Sequence, residues 1–134
     1  PNSVTSINKD TFSNCYALAS ITIPDSITFI GECAFANCGV LASVTLPDSI
    51  TVIKRNAFHN CAKLGSITPD SIEFVEEGAF YCCHALEFIK MPKRVLENDS
   101  KEFSLCQDLP TISVPKGFAC LPDPFPSNAK IITY

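Results

Sequence analysis

The chain repeats itself every 23 residues, and no other feature restricts its fold so tightly. Phe12, Phe35, Phe58, Phe80 and Phe103 are separated by 23, 23, 22 and 23 positions. The same steps join Cys15, Cys38, Cys61, Cys83 and Cys106, then Leu18, Leu41, Leu64, Leu86 and Leu109, then Ile21, Val44, Ile67, Ile89 and Ile112. Proline keeps the beat at Pro1, Pro24, Pro47, Pro69, Pro92 and Pro115. A fixed period of about 20 to 50 residues marks a stacked architecture, because one such unit cannot bury its own apolar face. The unit reads A-F-x-x-C-x-x-L-x-x-I-x-I-P-x-S-I-x-x-I. Its single short step falls at "SITPDSI", residues 66–72, which lacks the aliphatic residue present in "SITIPDSI" and "SVTLPDSI".

Each part of the unit has a physical reading. L-x-x-I-x-I ends with aliphatic residues two apart, the alternation of a strand with one buried face. Ile21 and Ile23 should therefore point inward, with Ser20 and Thr22 outward. Proline stops the strand because it has no N–H to donate, and the Asp and Ser beside it favour a corner. The following stretch, through Ala-Phe-x-x-Cys, mixes spacings of three, four and five. It reads as a short extended piece and one helical turn forming an outer wall. Stacked copies then align each inward residue into a ladder, with parallel strands about 4.8 Å apart. At "SITPDSI" either Thr68 turns inward or the corner at Pro69 tightens. The tighter corner is expected, since it leaves Ile67 and Ile72 in their ladders.

This spacing resembles the BspA-like class of leucine-rich repeats over nearly the whole chain, weakening after Lys93 and beyond Leu121. The resemblance implies an α/β fold: a right-handed leucine-rich-repeat solenoid with a parallel concave β-sheet and short extended or helical turns on the outer wall. One domain over 1–134 is expected, with units near 1–10 (partial), 11–33, 34–56, 57–78, 79–101 and 102–121. Residues 122–134 form a C-terminal cap whose "KIITY" reads as a final strand. The resemblance further implies a microbial cell-surface or secreted protein that adheres to host or extracellular matrix proteins. It brings no catalytic motif and no cofactor.

Composition excludes other classes. A net charge of −4, without clustered Lys and Arg, does not suit a nucleic-acid surface. No apolar run approaches the roughly 20 residues of a membrane span, and "PNSVTSINKD" has neither the basic start nor the apolar core of a signal peptide. No G-x-S-x-G, H-E-x-x-H or P-loop occurs, and glycine totals five, so an enzyme is not expected. Glu73, Glu76 and Glu77 read as a solvated outer face. Of eight cysteines, five occupy the ladder as small buried hydrophobes. Cys33, in the slot of Asn56, and Cys82, in the slot of Asn14, Asn37 and Asn60, approach the surface as free thiols. Their redox compartment stays open. Cys82, Cys83 and His84 are adjacent, and adjacent ligands diverge, so no metal site is expected. His59 and His84 read as surface residues of the outer wall.

The informative surface is the outward face of the sheet. Its two outward slots carry Ser20 and Thr22, Ser43 and Thr45, Ser66 and Thr68, then Phe88 and Lys90, then Thr111 and Ser113. Together with Glu87 these are the candidate ligand-binding residues, and Phe88 among charged neighbours has the character of an anchor. The same Ser/Thr rows have two other readings: a water-ordering face of the ice-binding kind, or the bland wet side of a spacer segment in a longer array. Asn98 stands where Ile30, Ile53 and Val75 stood, so the fourth outer wall should bulge. Asn98-Asp99-Ser100 is also a candidate glycosylation site.

Overall fold

The structure, a computed structural model, describes residues 3–68, 71–90, 111–114 and 130–134. Ten short strands follow in order: β1 (Ser6–Ile7), β2 (Ser20–Thr22), β3 (Phe29–Ile30), β4 (Ser43–Thr45), β5 (Val52–Ile53), β6 (Ser66–Thr68), β7 (Phe74–Val75), β8 (Phe88–Lys90), β9 (Thr111–Val114) and β10 (Lys130–Thr133). They form two parallel sheets, a broad one ordered β10-β9-β8-β6-β4-β2 and a narrow one ordered β1-β3-β5-β7. From β1 to β8 the chain alternates between the two sheets, one strand in each per coil, which makes it a solenoid. Register follows the repeat: Ser20 pairs Ser43 and then Ser66, Ile21 pairs Val44 and then Ile67, and Ile30 pairs Ile53 and then Val75.

Between the sheets lies one core built of ladders. Ile30, Phe35, Cys38, Leu41, Ile50, Phe58, Cys61, Leu64 and Leu86 are all fully covered. Full burial of a side chain of this size stabilises by about 1.5–3 kcal/mol, so a ladder repeated coil after coil outweighs any single polar contact. The phenylalanines stack nearly coplanar, Phe12 on Phe35 at 5.2 Å, Phe35 on Phe58 at 5.3 Å and Phe58 on Phe80 at 5.8 Å between centroids.

The outer wall differs from the expected helical turn. No helix occurs among the described residues, and the reason is hydrogen bonding between coils. In the second coil the N–H groups of Cys33, Phe35 and Asn37 donate to Arg55, Ala57 and His59 of the next coil, at 3.0, 2.8 and 2.8 Å. The intervening N–H groups of Ala34, Ala36 and Cys38 close local turns onto Gly31, Cys33 and Phe35. Every second donor is committed sideways, so an i to i−4 ladder cannot form.

This geometry requires left-handed backbone at two slots per coil. Asp10, Cys33, Asn56 and Gly78 fill one, and Asn14, Asn37, Asn60 and Cys82 fill the other, all with φ between 55° and 69°. Asn, Asp and Gly tolerate that conformation, whereas cysteine does not share their ease. The asparagines also chain together: Asn60 Nδ2 donates to Asn37 Oδ1, and Asn37 Nδ2 to Asn14 Oδ1, each at 3.1 Å. Cys82 occupies the next rung, where a thiol cannot replace the amide. Cys82→Asn should therefore raise stability by about 1 kcal/mol, read as a shift of the urea midpoint with the m-value unchanged.

The missing residue of "SITPDSI" is located by its neighbours. β6 keeps the Ser, Ile, Thr register against β4. Ser49 Oγ donates to the Ile27 carbonyl and Ser71 Oγ to the Ile50 carbonyl, so the register has recovered by Ser71. The deletion is absorbed between Thr68 and Ser71, with Ile67 buried and Ile72 packed against the core. Pro69, Asp70, the Thr68 side chain and Asn98 lie outside the described residues. β10 pairs in parallel with β9, Ile131 beside Ile112, and adds a rung to the broad sheet.

Candidate functional site: the outward face of the broad sheet

Alternation along three-residue strands decides what the face displays. Ser20, Thr22, Ser43, Thr45 and Ser66 are exposed, while Val44 and Ile67 between them are buried. Parallel pairing sets the like residues side by side, so β2, β4 and β6 present rows of small hydroxyls. β8 changes the chemistry. Phe88 pairs Ser66 on one side and Thr111 on the other, and Lys90 pairs Ser113. Phe88 and Lys90 are half-buried, and Glu87 beside them is exposed.

One expected member of the face differs in exposure. Ser113 keeps its outward register but is only 5% exposed. The Lys90 ammonium reaches across β9 to lie 4.5 Å from the centre of the Tyr134 ring. Tyr134 thus joins Lys90 on this face, a cation against an aromatic ring, with Phe88 two residues before Lys90 on β8. Tyr134 was not expected here; its distance from Phe88 along the chain hides that β10 returns beside β9.

The ladder cysteines do more than fill space. The thiols of Cys38, Cys61 and Cys83 each donate to a phenylalanine carbonyl of the preceding coil, Phe12, Phe35 and Phe58, at 3.1 Å. Each of those carbonyls already accepts the N–H of its own coil's cysteine, so the thiol takes the second lone pair. Valine or alanine would fit but leave that acceptor unused. All six described cysteines are free; Cys38, Cys61 and Cys83 are buried, Cys15, Cys33 and Cys82 half-buried. Cys33 is pushed up in pKa by burial and then by the Asp10 charge.

Burial pushes the Cys61 thiol up to about 12 from its ordinary 9.0. The unfolded chain releases this proton first, so stability from Cys61 is intact below about pH 9 and falls as pH rises toward about 12. Iodoacetamide at pH 8 should modify Cys15, Cys33 and Cys82 in the folded protein and reach Cys38, Cys61 and Cys83 only with denaturant. Peptide mass mapping reads the difference; native labelling of Cys61 would contradict it.

The opposite wall carries charge in order. Lys9 pairs Glu32 at 3.0 Å, Lys54 pairs Glu76 at 2.6 Å and Arg55 pairs Glu77 at 2.9 Å. Glu76 also accepts the Arg55 backbone N–H at 2.9 Å. Glu76 and Glu77 are therefore ion-paired between coils, beyond the solvated face expected of them. His59 stacks on Tyr81 at 5.1 Å, half-buried, while His84 is exposed. Among the described residues no group of three or more His, Cys, Asp or Glu could hold a metal ion. No described helix is long and apolar enough to cross a membrane.

Comparison with known proteins agrees with this geometry. A family model described as "BspA type Leucine rich repeat region" matches in six copies over residues 1–110 and 40–132. No curated protein matches. Among solved structures, a leucine-rich cell surface protein of Faecalibacterium prausnitzii A2-165 is similar at 36% identity and TM-score 0.78, over 85% of this chain and 30% of that one. The Treponema pallidum leucine-rich-repeat protein is similar at 28% and 0.74, over 82% and 52%. A leucine-rich-repeat protein of Bacteroides ovatus ATCC 8483 gives 26% and 0.67, over 84% and 37%. The chain spans about half or less of the length of each.

Proposed function

The chain belongs to the BspA-type leucine-rich-repeat family, and from that premise we propose that it is a non-enzymatic protein-binding module of a surface or secreted microbial protein. Its ligand, a host or matrix protein, docks across the outward face of the broad sheet. The observation that carries this reading is the change of chemistry along one continuous face. Exposed hydroxyls on β2, β4 and β6 adjoin Phe88 on β8, whose strand also carries Lys90 in contact with Tyr134. Aromatic anchors ringed by polar contacts are where binding energy concentrates, while small hydroxyls add complementarity at little cost in side-chain entropy. The similarity to a protein described as a cell surface protein supports the location. The interruption of the hydroxyl rows by Phe88 and Lys90 weighs against a water-ordering face.

Binding of immobilised matrix proteins to the purified chain tests the reading. With a ligand in hand, Phe88→Ala should weaken affinity by about 2 kcal/mol, roughly thirtyfold. Ser20→Ala, at the far end of the face, should change it by less than about twofold. Equal affinity of Phe88→Ala and the parent for every ligand found would overturn it.

A further inference from the structure

The narrow sheet has an outward face that the proposed ligand site does not use. On its four described rungs the strands align Ser6, Phe29, Val52 and Phe74; just beyond the strands the repeat sets Asn8, Gly31, Lys54 and Glu76 in a second row and Lys9, Glu32, Arg55 and Glu77 in a third. Phe29 is 39% exposed although it is a large aromatic. A groove of about 490 Å³ beside it is bordered by Lys9, Glu32, Lys54 and Glu76, with Gly31 in its floor.

The third row alternates plus, minus, plus, minus. Such a row is complementary to itself when reversed. A two-fold axis lying in the contact plane along the strand direction, midway between β3 and β5, reverses the rung order and sets each row against its own copy. Lys9 then meets Glu77 of the second copy and Glu32 meets Arg55, each twice by symmetry. In the second row Lys54 faces Gly31, where no charge opposes it, and Glu76 faces Asn8. In the first, Phe29 faces Val52 and Phe74 faces Ser6. Among the described residues no two like charges are set directly opposite each other; Lys54 comes nearest its own copy, one rung away across the axis.

We infer that this face is a two-fold interface with a second copy of the chain, the rungs of the narrow sheets running in opposite order. The occupant is chosen by charge complementarity: a partner of single-signed charge would meet repulsion at every second rung. The rows span three steps of about 4.8 Å, well short of a standard interface of roughly 800 Å² per partner, so association is weak and concentration-dependent.

Sedimentation equilibrium of the 134-residue chain, from about 10 µM to about 1 mM, tests this. The mass should rise toward twice that of one chain and fall back when salt screens the rows. R55E alone and E32R alone each place like charges together twice and should weaken the dimer at least tenfold. Mixed in equal amounts they should associate again, because the introduced carboxylate of one meets the introduced guanidinium of the other. Circular dichroism establishes that both variants fold. A parent that stays monomeric over the whole range overturns the inference, as does a mixture that fails to recover. Neither result touches ligand binding on the opposite sheet, which Phe88→Ala reads separately.

Discussion

Phe58→Ala is expected to cost about 3–5 kcal/mol, among the largest losses from a single truncation of the described residues. Phe58 is fully buried and stacks on Phe35 at 5.3 Å and Phe80 at 5.8 Å, both within 2° of coplanar. Two effects add. Removing the ring loses its burial and leaves a cavity that the coils on either side cannot collapse into, since their own ladders hold them apart. Removing the stack loses about 0.5–1.5 kcal/mol for each of two ring pairs. Phe58→Leu separates them, because it keeps most of the apolar volume and loses only the stacking, and it should cost about half as much.

Position matters too. In a solenoid each coil contacts only its neighbours, so a defect in the middle weakens coupling between the two halves. Urea unfolding of Phe58→Ala should broaden and resolve into two steps. Phe12→Ala, at a half-buried ring with one described stacking partner, Phe35, should shift the midpoint less and leave a single transition. Equal effects at Phe12 and Phe58 would contradict the ladder account.

Gly31→Ala is the second large expectation, at about 1–3 kcal/mol. The added methyl carbon would lie 2.6 Å from the Lys9 nitrogen and 2.7 Å from the Asn8 carbonyl carbon. Both are backbone, so neither can swing aside. The approach is drawn close by the Gly31 N–H, which donates to the Ile7 carbonyl at 2.7 Å. Relief of the clash would stretch this bond and pull β3 from β1. Gly39, beside which the same carbon would meet nothing within 4 Å, is the control: Gly39→Ala should be near neutral. Thermal unfolding of the two variants side by side checks the pair.

Much of this was legible because the repeat transfers one position's environment to all its copies. The identity of Phe, Cys and Leu at one slot through five rounds predicts burial at that slot; Phe35, Cys38, Leu41 and their copies in the next two coils are buried, and Phe12, Cys15 and Leu18 half-buried. The two-residue alternation of β2 and β4 predicts which side faces solvent, and Ser20, Thr22, Ser43 and Thr45 do. The outer wall was less legible. Asn14, Asn37 and Asn60 share a slot, a signal for left-handed backbone. The spacing of apolar residues in the same stretch also suits a helical turn, and only hydrogen bonds between coils separate the two. Those bonds join residues about 22 apart, beyond the reach of any local pattern.

Sequence alone determined the stacking, the core and the register, since periodic burial admits a single alignment of ladders. Tertiary structure decided which chemistry meets on each surface. Lys90 meets the Tyr134 ring because β10 closes against β9, and Ser113, outward by register, is buried. Glu76 and Glu77 meet Lys54 and Arg55 because residues 21 or 22 apart stand on adjacent rungs. Periodicity says that two residues are neighbours. Where a side chain reaches from its rung depends on the space its neighbours leave, as at Gly31, and that is settled only in three dimensions.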